Sequence, residues 1–100
     1  MGLGFSVAVM DEISLHNKQD RGARAEALLR DDLLQEAFKV LHAEYASEWV
    51  RTAPNDTAGR ERLWQAVRIL GQVEHHLRRV AQDGRIASKD LSNIKYLKRA

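Results

Sequence analysis

Leu33–Trp64 reads LLQEAFKVLHAEYASEWVRTAPNDTAGRERLW, and this stretch decides the fold. Leu34, Phe38, Leu41, Tyr45 and Trp49 recur at steps of three and four, with Leu33, Ala37 and Val40 beside them. That spacing puts one apolar stripe on an amphipathic helix. Glu36, Lys39, Glu44 and Arg51 take the opposite side. Pro54, the only proline, then removes a backbone donor and turns Ala53 away from helical angles. Asp56 or Thr57 is placed to cap a following helix.

Working outward, Leu63, Val67, Leu70, Leu77 and Val80 form a second stripe, flanked by Ala66, Val73 and Ala81. A short loop between two such helices makes them antiparallel neighbours. Folded about residues 56–57, Trp49 comes opposite Trp64, Tyr45 near Val67, Leu41 near Leu70 and Leu34 near Leu77. One register satisfies all the apolar positions, which predicts a long antiparallel hairpin over residues 20–83 in an all-α chain. Trp49 is expected in its core, because a tryptophan on the stripe buries a large area. Trp64, beside the stripe, is the better interface candidate. Gly71 is expected to let the helices approach closely beneath Leu41 or Phe38.

Beyond the hairpin the signals weaken. Residues 1–19 show no helical period and are expected to be a flexible arm. Asp83-Gly84 suggests a helix end, with Gly84 as a left-handed cap. Residues 84–100 then predict a short third helix, N-capped by Ser88 and carrying Leu91, Ile94 and Leu97 on one side. This segment is basic: Arg85, Lys89, Lys95, Lys98 and Arg99 stand against Asp90 alone. Together with Arg78 and Arg79 they are candidate phosphate contacts, with Tyr96 available to stack. Residues 20–52 are acidic instead, with seven carboxylates and five basic groups, so a basic tail facing an acidic helix allows head-to-tail or intersubunit attraction.

The chemistry of the chain is sparse. With 100 residues there is room for one domain, and a net charge of +2 does not demand a nucleic-acid partner. No cysteine is present, which excludes disulfides and thiolate metal sites. No run approaches the roughly 20 apolar residues of a membrane span, and the first ten residues lack a basic leader. His75 and His76 are adjacent and point about 100° apart on a helix, so they do not share one ion easily. His16 and His42 stand singly, and no nucleophile elbow or phosphate-cradling glycine loop frames a reaction. An enzyme is not expected, nor a metal or cofactor.

The run Arg24-Ala-Glu-Ala-Leu-Leu-Arg-Asp-Asp-Leu-Leu-Gln-Glu-Ala-Phe38, with Tyr45, Trp49, Asp56 and Gly59-Arg-Glu-Arg-Leu-Trp64, resembles small helical proteins of tailed-phage and prophage structural or packaging modules. The resemblance covers about residues 24–87 and extends to small terminase subunits, whose helical hairpins build ring oligomers. The N-terminal helix-turn-helix common in small terminases is missing. What the resemblance implies is a non-enzymatic, oligomerising virion-assembly or DNA-packaging component of the host cytoplasm or the virion, partnered by copies of itself and by other phage structural proteins. The alternatives are a nucleic-acid-binding accessory protein that uses the basic tail, or a small inhibitor of a host protein. Hairpin stripes wider than one helix–helix seam favour self-association, since Leu33, Ala37, Val40, Ala66, Val73 and Val80 need cover.

Overall fold

The structure, a computed structural model, describes residues 2–99, with side chains over residues 11–98. It is all-α. Helix α1 spans Gly2–Arg30, α2 spans Asp32–Arg51 and α3 spans Thr57–Arg99. The chain divides into two compact units, one of Met1–Ala27 with Leu77–Ala100, the other of Leu28–His76. Helix α3 contributes to both. Along it the partly or fully buried positions Leu63, Leu70, Leu77, Gly84 and Leu91 recur every seven residues, the period of a helix packed along a seam.

In the Leu28–His76 unit, α2 and the first part of α3 form the antiparallel hairpin. Asp31 starts α2: its backbone is extended (φ −68°, ψ 120°), and Oδ1 accepts the Leu34 N–H at 2.9 Å. At the other end the Asp56 N–H donates to the Ala53 carbonyl at 2.9 Å, closing a turn with Pro54 at its second position. Asp56 Oδ1 then accepts the Gly59 N–H at 2.9 Å and caps α3. Arg60 Nε donates to Thr52 Oγ1 at 2.9 Å and ties the loop to α3. Phe38 is buried, while Leu34, Leu41, Tyr45, Leu63, Ala66 and Leu70 are half-buried around the seam.

The second unit packs α1 against the end of α3, also antiparallel. Among its described side chains the buried residues are small, Gly22, Ala25, Ala81, Gly84 and Ala87, with Leu91 the one large residue among them. A Cβ on Gly22 would stand 2.5 Å from the Gly84 Cα, and one on Gly84 would stand 2.6 Å from the Gly22 Cα. The two backbones touch there, a distance only glycine allows. Gln19 Nε2 donates to Ser88 Oγ at 2.9 Å, Arg85 Nε pairs with Glu26 Oε1 at 2.6 Å, and Lys98 Nζ pairs with Glu12 Oε1 at 2.5 Å.

Several boundaries differ from the sequence expectation. The stretch read as an arm, residues 1–19, is helical from Gly2, and Met1 lies outside the described residues. From residue 11 onward the fully buried positions of α1 are Gly22 and Ala25, which carry no period of large side chains. The first helix of the hairpin expected over residues 20–83 is broken at Asp31, whose carboxylate competes for backbone N–H groups and caps a new helix. Gly84 does not end a helix: no described glycine has positive φ, and α3 runs through it. Ser88 lies inside α3, so the third helix is not a separate C-terminal one. Gly71 is not the close-approach residue, since a Cβ there meets nothing within 4 Å. Gly22 and Gly84 hold that role.

Candidate interaction surfaces

The hairpin presents two different flanks, set by the helical angle of each residue from the seam. On one flank α2 offers His42, Ala46 and Trp49, and α3 offers Trp64, Val67 and Glu74. His42 Nε2 and Glu74 Oε1 meet at 3.0 Å across the seam. Tyr45, Trp49, Leu63, Trp64 and Val67 line a groove of about 410 Å³ with His42 and Ala46. The register drawn from the stripes placed Tyr45, Trp49, Trp64 and Val67 together, and these four share that groove.

Trp49 is not core within this chain: it is 41% exposed, and Trp64 is 52% exposed. The reason is position. Trp49 sits in the last turn of α2, where a two-helix pair has no third element to cover a large ring. Arginines take its place. The Arg60 guanidinium lies 5.2 Å from the Trp49 ring centroid, and that of Arg68 lies 5.4 Å from the Trp64 centroid, both cation–π distances. Arg68 was legible as the residue four beyond Trp64 on one helix, whereas Arg60 over Trp49 needs the loop geometry.

The other flank is aliphatic. Leu33, Ala37 and Val40 on α2 and Ala66, Ile69 and Val73 on α3 lie on the same side of the seam. Leu33 is 73% exposed, Ile69 is 59% exposed, and Val40 and Val73 are exposed as well. Ile69 is a member that the stripe analysis missed, although its place three after Ala66 and four before Val73 marks it.

The basic residues do not converge in the same way. Arg78, Arg79, Arg85, Lys89, Lys95 and Lys98 are all exposed on α3, and the Arg99 side chain lies outside the described ones. Adjacent Arg78 and Arg79 point about 100° apart. Arg85 and Lys98 pair with the α1 carboxylates of Glu26 and Glu12, of which only Glu26 belongs to the acidic 20–52 segment. Leu77 is half-buried in the small-residue unit. His75 and His76 are exposed, and among the described residues no group of three or more His, Asp or Glu could hold a metal ion. No described helix is long and apolar enough to cross a membrane. No family profile, curated protein or solved structure matches this chain.

Proposed function

We propose that this protein is a non-enzymatic assembly module that self-associates through the aliphatic flank of its Leu28–His76 unit. The observation that carries the reading is the alignment of Leu33, Val40, Ile69 and Val73 on one exposed side of a two-helix pair. Fully burying one such side chain is worth roughly 1.5–3 kcal/mol, so four on one face give a strong drive to associate. A hairpin alone has too little interior to hide them. The resemblance of residues 24–87 to phage structural and packaging proteins supplies the setting: a repeated building block of a virion or packaging assembly. On the opposite flank the Trp49–Trp64 groove, rich in the Trp, Tyr and Arg that dominate interface energetics, offers a site for another assembly protein.

Sedimentation equilibrium on the native chain and on an Ile69→Glu/Val73→Glu variant tests the reading. The native chain should sediment above its 11.4 kDa, and the variant, with helicity intact, should sediment as a monomer. Equal masses for the two would remove this flank from the contact.

A further inference from the structure

Helix α3 sorts its charges by side where it packs on α1. From Leu77 to Ala100 it holds seven basic and two acidic residues. Their places follow from the seven-residue core spacing. Asp83 and Asp90 each stand one residue before a core position, Gly84 and Leu91. Arg78 and Arg85 each stand one residue after a core position, Leu77 and Gly84. One residue turns about 100°, so the acids and these arginines leave the seam on opposite sides.

The side with the arginines continues along the helix as Arg78, Gln82, Arg85, Lys89, Ser92 and Tyr96. All six are exposed. None is acidic or aliphatic, and each carries an N–H or O–H donor. The other side differs in kind, with Ile86 and Leu97 exposed beside Asp83 and Asp90. Arg78 and Lys89 join no ion pair described within the chain. Arg85 pairs with Glu26 but stays well exposed.

We infer that this face of α3 binds the phosphodiester backbone of a nucleic acid. At about 1.5 Å of rise per residue, Arg85 lies about 10 Å from Arg78 and about 6 Å from Lys89, with Tyr96 about 10 Å further on. A straight row of donors on a rigid helix suits a ligand whose anionic oxygens repeat along a line. Such contacts position a nucleic acid without reading its bases. A membrane surface fits less well, because it takes up apolar side chains together with cations, and this face offers no aliphatic one. The face lies in the unit of α1 and the end of α3, so it does not depend on the aliphatic flank of the hairpin.

Fluorescence anisotropy of a short labelled duplex, and of one of its single strands, titrated with the native chain tests the assignment. Both should bind, since both present the same phosphates. Duplex binding should weaken about ten- to fortyfold between about 50 and 200 mM salt, the ion release expected for about two to three phosphates. Arg78→Ser with Lys89→Ser should weaken binding about tenfold or more at the lower salt and flatten its salt dependence. Arg21→Ser with Arg24→Ser removes the same charge from exposed positions of α1 and should change binding less than about threefold. Circular dichroism of both variants should match the native chain. Equal losses for the two variants, binding to neither nucleic acid at the lower salt, or equally tight binding to vesicles of anionic phospholipid would each overturn the assignment.

Discussion

The two units solve the same problem, packing two antiparallel helices, with opposite materials. Where α1 meets the end of α3, Gly22 and Gly84 bring the backbones into contact, and alanines fill the space on either side. Little apolar surface is needed because little gap remains. Where α2 meets the start of α3, Phe38, Leu41, Tyr45 and Leu63 hold the helices apart, and the same bulk leaves Trp49, Trp64, Leu33 and Ile69 exposed. Both units leave large side chains exposed, Ile13, Ile86, Tyr96 and Leu97 in the unit where the backbones touch, and Leu33, Val40, Ile69 and Val73 along one flank of the hairpin.

Substitutions at the two seams should divide along this line. Phe38→Ala is expected to have the largest effect, a loss of roughly 3 kcal/mol from removing the one buried aromatic of the hairpin, seen in urea unfolding. Leu41→Asp, at a half-buried position of the same stripe, should disrupt the hairpin comparably, and an unchanged melting curve would place Leu41 outside the seam.

Glycine gives the sharper contrast. Gly84→Ala should destabilise by about 1–3 kcal/mol, because the new methyl overlaps the Gly22 backbone. Gly71→Ala, the same change on the same helix in the other unit, should stabilise by up to about 1 kcal/mol, because it gains helix propensity and meets nothing. Thermal midpoints that moved the same way for both would erase the distinction between the units. Smaller again, Asp31→Ala should lose about 1 kcal/mol with the cap of α2. Removing the Arg85–Glu26 pair by Arg85→Ala should change stability by less than about 1 kcal/mol, since Arg85 is well exposed and water screens the pair.

The same contrast decides what was legible in the sequence. The hairpin could be read because proline, an aspartate cap and stripes of large side chains all announce it. Its exposed flank could be read in part from Leu33, Val40 and Val73, which exceed one seam. The α1 pairing was hidden because its fully buried described residues, Gly22 and Ala25, carry no hydrophobic period, and Gly84 across from them invites the reading of a cap. Gly71 drew attention as a glycine amid apolar residues, yet the position that matters is Gly84. The seven-residue spacing from Leu63 through Leu70 and Leu77 points straight at Gly84, and Leu91 continues it. Asp31 was hidden for another reason: one capping carboxylate interrupts a pattern that reads on unbroken through Leu34.

The most direct test of the account is the mass of the native chain in solution, measured by light scattering across micromolar concentrations. Self-association through the hairpin flank predicts at least twice the 11.4 kDa of one chain. A mass of 11.4 kDa throughout that range would contradict it.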